Sequence, residues 1–200
     1  MRIVCAPDSF KESMAAADAA AAMARGVRRA LPAAEAVEVP MSDGGEGFTE
    51  AVAAALGATV REVPTVDALG RPVRAGIAVA GDLAVLEMAA ACGLERIEAD
   101  ERDVMACDTR GVGRTIRAAL DAGAHRLVVG IGGSATNDGG AGMLAELGAR
   151  YLDKDGEEIG ATPAELRRLD RVDLDGLDPR VADLAIEVAC DVDNPLLGES

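Results

Sequence analysis

An α/β fold, with a largely parallel sheet interrupted by a β-meander, is predicted by three features of this sequence. Apolar strands and amphipathic helices alternate through the N-terminal part, the pattern of strands joined by helical crossovers. Aromatic residues make up 2% of the chain and Trp is absent. The core must therefore be Ala, Val, Leu, Ile and Met, which suits helices packed on a parallel sheet. From Thr65 to Ala89 the helices give way to short β-prone runs separated by LGRP and AGD turn signals.

Taken in order, RIVCA (2–6) reads as a strand and PDSFKES (7–13) as a loop. An Ala-rich helix is expected from about Met14 to Leu31, then strand AVEVPM (36–41) and loop SDGGEG (42–47). A helix from Phe48 to Leu56 closes on Gly57 as a C-terminal cap glycine. After the meander come a helix from about Gly111 to Ala122, strand HRLVVGI, a Gly-rich loop, a short helix around Ala141 to Leu147 and strand ARYLD. Residues 153–183 read as charged and irregular, with a helix at Pro163 to Leu169. Strand AIEVAC (185–190) follows. Pro64 is the expected domain boundary, giving units 1–64 and 65–200. The closing NPLLGES has no terminating element, so the chain is expected to belong to something longer.

The 200 residues carry a net charge of −15 and are 50% apolar, enough for a real core. That charge repels nucleic acid and anionic lipid, so the expected partner is a small-molecule substrate, with no nucleic acid and no membrane. A homodimer is the oligomeric option left open. Cys5, Cys92, Cys107 and Cys190 are scattered and His125 is the lone His, which disfavours zinc and a disulfide framework. With no h-region and no run near ~18 apolar residues, a cytoplasmic location is expected.

Four polar loops follow strands, on the edge where open α/β sheets bind ligands: PDSFK, SDGGEG, GGSATNDGG and DVDN. The Gly-rich loop lacks the Walker A lysine. Gly130, Gly132 and Ala135 match GxGxxA, with Asp153 at the distance of a ribose-binding acid, but a dinucleotide site needs a helix starting near Gly133. Residues 136–140, TNDGG, resist that helix. An extended loop whose N–H groups line an anion site is favoured, against a tight glycine turn that only lets backbones pack. Lys11 is one of two lysines and suits a phosphate or carboxylate, or a solvated helix start. Ser9 and Glu12 form a capping-box pair, so Ser9 either starts the helix or faces ligand. Asp43 and Glu46 suit hydroxyls, a metal or a helix cap. Asp191, Asp193 and Asn194 after a buried strand suit Mg²⁺ carried with phosphates, or an Asx turn before Pro195. His125 lies on the edge opposite the crevice, no GxSxG is present, and Cys190 reads as a buried small hydrophobe.

Together APDSFKES (6–13), SDGGEG (42–47), LEMAAACGL (86–94), TRGVGRTI (109–116), GIGGSATNDGGAGML (130–144) and EVACDVDNPL (187–196) resemble the bacterial type I glycerate kinases across essentially the whole chain. The resemblance implies a Rossmann-like parallel sheet portion, of which 1–64 is the N-terminal part, plus a second α/β domain (65–200) containing the meander and the Gly-rich loop. It also implies longer family members and transfer of the γ-phosphoryl of ATP to D-glycerate, giving 2-phosphoglycerate. Under it Gly132, Gly133, Ser134 and Asn137 are expected to cradle phosphate, and Asp138 and Asp193 to bind Mg²⁺. Asp191 and Lys11 are expected to be catalytic, with Asp8, Ser9 and Asp43 binding substrate. The competing readings are a nucleotide- or sugar-acid-binding module without turnover and, third, a dehydrogenase.

Overall fold

A computed structural model describes residues 1–10 and 13–192. Strand β1 (Arg2–Cys5), helix α1 (Ala16–Ala30) and strand β2 (Glu35–Glu38) form a βαβ unit whose two strands pair in parallel. Helix α1 buries Ala16, Ala19, Ala20 and Ala24, one stripe at helical spacing, and places Arg28 and Arg29 at its C-terminal end, where the helix dipole favours cations. The helix begins after Ala15, so Ser9 does not cap it. Instead Phe10 and Met14 form an isolated β-bridge ahead of the helix.

Helix α2 (Phe48–Leu56) leads to the meander: β3 (Val60–Val66), β4 (Pro72–Ala80) and β5 (Leu83–Glu87). A four-residue helix α3 (Ala89–Cys92) and an irregular segment precede α4 (Arg110–Asp121) and β6 (Arg126–Gly130). The remainder is α5 (Ala141–Glu146), β7 (Arg150–Leu152), β8 (Glu158–Ile159), α6 (Pro163–Leu166), β9 (Arg171–Asp173) and β10 (Ala185–Ala189). The main sheet has the order β10-β6-β5-β4-β3, with β10, β6 and β5 parallel and β4 and β3 antiparallel at one side. Pro64 is a mid-strand residue of β3 opposite Arg74, so a boundary placed there would cut a paired strand.

Alternation along the strands sorts the core into two layers. Ile77, Leu86, Leu127 and Val129 face one cluster with Val112, Ile116 and Leu120 of α4. Ala78, Val85 and Val128 face the other, with Phe48 and Ala53 of α2. Ile77 and Leu86 are fully buried and Leu127 nearly so, each contributing about 1.5–3 kcal/mol. A third cluster joins α5 to Tyr151, Ile159 and Ala161.

Three expectations need correction. Residues 153–183 are not simply irregular: β7, β8 and β9 form a small antiparallel sheet. Strands β8 and β9 are two and three residues long and mostly charged, too short to leave a period-2 signal. The strand before DVDN is also not buried, because β10 is the outer strand of its sheet and Ile186 and Val188 are exposed. Cys190 is accordingly an exposed thiol rather than a buried one.

Glycines set the closest approaches around α4. A Cβ on Gly111 would strike the carbonyl oxygen of Val66 on β3, and one on Gly113 would lie 2.5 Å from the carbonyl oxygen of Met143 on α5. The GxG pair in TRGVGRTI thus serves packing. Gly111→Ala should lower stability by about 1–3 kcal/mol through overpacking, read as a shift of the urea midpoint, whereas Gly26→Ala, where a Cβ meets open space, should not destabilise.

Candidate functional site: three strand-end loops joined through glycine

The loops after β2, β6 and β10 meet at their backbones. Gly132 donates its N–H to the carbonyl of Gly44 at 3.0 Å, and Ile131 donates to the carbonyl of Ala189 at 3.3 Å. A Cβ on Gly130 would collide with the Gly44 carbonyl and the Phe48 ring. One on Gly132 would lie 2.9 Å from the Gly45 backbone, and one on Gly44, at φ +99°, 2.6 Å from the Ala189 carbonyl oxygen. Only glycine permits this junction. The loop after β1 joins the same edge, since Met41 donates to the carbonyl of Pro7 at 2.9 Å.

Between β6 and α5 the chain runs through 131–140 without helix, and α5 starts only at Ala141. The helix that a dinucleotide fingerprint requires at Gly133 is therefore missing, which removes the GxGxxA reading. Gly133, Gly139 and Gly140 take positive φ (69°, 61° and 81°); the N–H groups of Gly133 and Gly139 make no hydrogen bond among the described residues, as an anion loop needs, whereas that of Gly140 is held by Asp138. Asn137 and Gly139 are exposed and make no hydrogen bond among the described residues. Ser134 and Thr136 hydroxyls lie 3.3 Å apart, part-buried on the same loop. Gly132, by contrast, has its N–H committed to Gly44 and acts in packing.

Asp138, a metal candidate by resemblance, has its oxygens engaged within the protein. It is 6% exposed. Its Oδ2 accepts from Thr109 N–H (2.8 Å), Thr109 Oγ1–H (2.7 Å) and Gly142 N–H (2.9 Å), while Oδ1 accepts from Gly140 N–H (3.1 Å). Thr109 Oγ1 in turn accepts from Met143 N–H at 2.9 Å. One carboxylate thereby ties the Gly-rich loop to the first turns of both α4 and α5, and four protein donors leave little of it for a cation.

The residues expected to touch substrate lie on the loops around the junction. Asp8 is exposed and accepts from Ser9 N–H at 2.6 Å. Asp43 is exposed and closes an Asx turn with Gly45 N–H at 2.9 Å, so it does not cap α2. Asp191 is exposed directly after β10, with no hydrogen bond among the described residues. Lys11 and Asp193 lie outside the described residues. No group of three metal-ligating side chains occurs among the described residues. His125 sits at the start of β6, on the opposite edge of the sheet.

The glycerate kinase family profile matches residues 3–200. The chain belongs to the glycerate kinase family. It is 50% identical over 200 residues to a glycerate kinase of Bacillus subtilis strain 168, covering 99% of this chain and 52% of that protein. A glycerate 2-kinase of Escherichia coli K12 is 48% identical over 202 residues, covering 100% and 53%. The crystal structure of a candidate glycerate kinase 2 from Salmonella typhimurium LT2 superposes with a TM-score of 0.85 at 46% identity, covering 99% of this chain and 54% of that one. The chain thus spans about half the length of the relatives it matches. No described helix is long and apolar enough to cross a membrane.

One residue of this family member escaped the sequence reading. Glu87 ends β5 and is 5% exposed. Its Oε1 accepts from Gly47 N–H (3.1 Å) and its Oε2 from Thr49 N–H (2.7 Å), so it caps α2 across the sheet edge and fixes the far end of SDGGEG. The available signal was a lone carboxylate closing the apolar run LAVL. Burial pushes its pKa up, with the Thr49 N–H opposing. Asp108, which pairs with Arg110, is raised for the same reason.

Asp138→Ala would strand the buried N–H groups of Thr109 and Gly142, and should cost about 3 kcal/mol by urea denaturation. Asp138→Asn keeps one acceptor oxygen and should lose less. For Glu87, a carboxyl with a raised folded pKa binds its proton more tightly folded than unfolded. Its contribution to stability therefore falls as pH rises from the ordinary carboxylate value through the raised one, and is level above it. Urea midpoints across the mildly acidic range should fall less steeply with pH in Glu87→Gln, the slope from Asp108 persisting; an unchanged slope would count against Glu87 as a source.

Proposed function

We propose that the polypeptide containing this chain transfers the γ-phosphoryl group of ATP to D-glycerate, giving 2-phosphoglycerate and ADP, and that the joined loops form its phosphate-handling face. The observation that carries the reading is the glycine junction beside open N–H groups at Asn137 and Gly139, in a chain of the glycerate kinase family. Phosphoryl transfer needs positioning and charge stabilisation more than covalent chemistry from the protein. Backbone N–H groups supply charge stabilisation without adding a cation to an acidic chain.

The roles follow the placement of each residue. Gly133, Ser134 and Asn137 hold phosphate oxygens, and Gly132 fixes the loop that presents them. Asp191, exposed at the mouth of the parallel strands, accepts the proton of the C2 hydroxyl as that oxygen bonds to the γ-phosphorus and the bond to the ADP oxygen breaks. Lys11, Asp8, Ser9 and Asp43 hold the glycerate carboxylate and hydroxyls. Mg²⁺ enters with the nucleotide as part of the substrate, which requires only one or two protein carboxylates; Asp193 is retained for that role and Asp138 is not. Four free thiols, Cys5, Cys92, Cys107 and Cys190, suit the reducing cytoplasm.

The test is phosphoglycerate formation from ATP, Mg²⁺ and D-glycerate, with the product isomer resolved by NMR. Asp191→Asn should lower kcat by about 10²-fold or more with a small change in glycerate KM. A near-normal kcat in that variant would remove the base role.

A further inference from the structure

Beside the Gly-rich loop lies a cleft of about 340 Å³ whose lining, Ser134 apart, has no part in the roles above. One wall is Ser134, Ala135 and Thr136; the facing wall is the irregular segment after α3, with Leu94, Ile97, Val104 and Cys107. We infer that this cleft takes the nucleoside moiety, base and ribose, of the nucleotide whose phosphates the adjoining loop holds. The inference rests on the kinase reading and adds the location of the nucleoside.

Size and chemistry both point to a nucleoside rather than to glycerate. The volume falls within the ~300–1,000 Å³ typical of small-molecule clefts, far more than a three-carbon acid fills. Its facing wall is aliphatic, which suits the faces of a flat heteroaromatic ring and not a small polyhydroxy anion. Leu94 is 42% and Val104 50% exposed, apolar side chains left open at a concave surface. Arg102, Asp103 and the Thr136 hydroxyl add polar groups for ring nitrogens and ribose, next to Ser134 on the phosphate side.

The walls are held at a fixed separation. Gly93 and Ser134 form an antiparallel bridge, in which Leu94 donates to the Gly133 carbonyl at 2.9 Å and Ala135 to the Cys92 carbonyl at 2.8 Å. The Arg102 guanidinium donates to the carbonyls of Ile97 (3.2 Å) and Leu94 (3.5 Å), and Asp103 accepts from Met105 N–H at 2.9 Å. A segment whose regular structure is two three-residue 3₁₀ turns, Leu94–Arg96 and Ala99–Glu101, is thus braced on itself and on the loop. Such preorganisation lowers the ordering cost of binding. Because the bridge runs through Gly133 and Ser134, a base seated here places its phosphates toward the exposed Asn137–Gly139 side of the same loop.

The experiment uses the intact polypeptide and two readouts. Val104→Asp and Leu94→Asp change exposed wall side chains outside the core. Each should raise KM for ATP about tenfold, leave KM for D-glycerate and kcat within twofold, and weaken binding of adenosine, titrated calorimetrically as the probe. Adenosine should also compete with ATP and not with glycerate. The inference is overturned if both variants bind adenosine and ATP as the parent does, or if glycerate KM moves instead. If the parent forms no phosphoglycerate, the kinase reading fails, and the adenosine titration of parent and variants alone decides the cleft.

Discussion

Backbone contact without side chains is the constraint on which the site depends. Where Gly44, Gly130 and Gly132 pass one another, an added Cβ on Gly130 or Gly132 would push apart the loop after β2 and the end of β6, and one on Gly44 would strike the end of β10. The junction also takes in Ala189 at the end of β10, so strands belonging to two separate sheets share one edge geometry. This couples the N-terminal βαβ unit to the main sheet through polar backbone, with little apolar surface, and makes the relative position of SDGGEG and GGSATNDGG a property of hydrogen bonds such as Gly132 to Gly44. Close approach of this kind is specific: a displaced register would leave buried donors without acceptors.

Electrostatics impose the second constraint. Under the proposed function, a chain of net charge −15 holds phosphate against its own field. Cations are sparse on the loops, and the structure answers with backbone. The N–H groups of Gly133 and Gly139, both at positive φ, have no acceptor among the described residues, and Asp138 stabilises the loop from behind by accepting from Gly140 and Gly142. A negative charge set beneath an anion loop looks counterproductive. Its oxygens are occupied by four donors, however, so what it presents to the loop's outer face is a fixed geometry more than a bare charge.

Much of the fold was legible because its signals are local. Ala16, Ala19, Ala20 and Ala24 recur at helical spacing, Gly57 stops α2, and TNDGG keeps residues 136–140 out of a helix. What was illegible depends on distant partners. Whether Asp138 meets a metal or Thr109 is decided by a residue 29 positions away, and whether Glu87 caps α2 by residues 38 and 40 away. The exposure of β10 depends on its outer place in the sheet, which its apolar sequence does not encode. Strands β8 and β9 owe their existence to pairing with β7 alone.

The distribution of carboxylates then separates scaffold from chemistry. Asp67, Glu87, Asp108 and Asp138 are all buried, and each accepts from backbone N–H groups near a turn or helix end: Leu69 and Arg71, Gly47 and Thr49, Arg110, and Thr109 with Gly140 and Gly142. Asp8 and Asp43 are exposed and accept one local N–H each, and Asp191 accepts none among the described residues. A carboxylate whose oxygens are occupied by protein donors cannot readily take a substrate proton or a cation without losing bonds that stabilise the fold. One left open at the rim has lone pairs to spare and water close by. In an acidic chain where sequence offers many candidates, donor saturation is the physical criterion that assigns Asp138 to the frame and leaves Asp8, Asp43 and Asp191 free to meet a ligand.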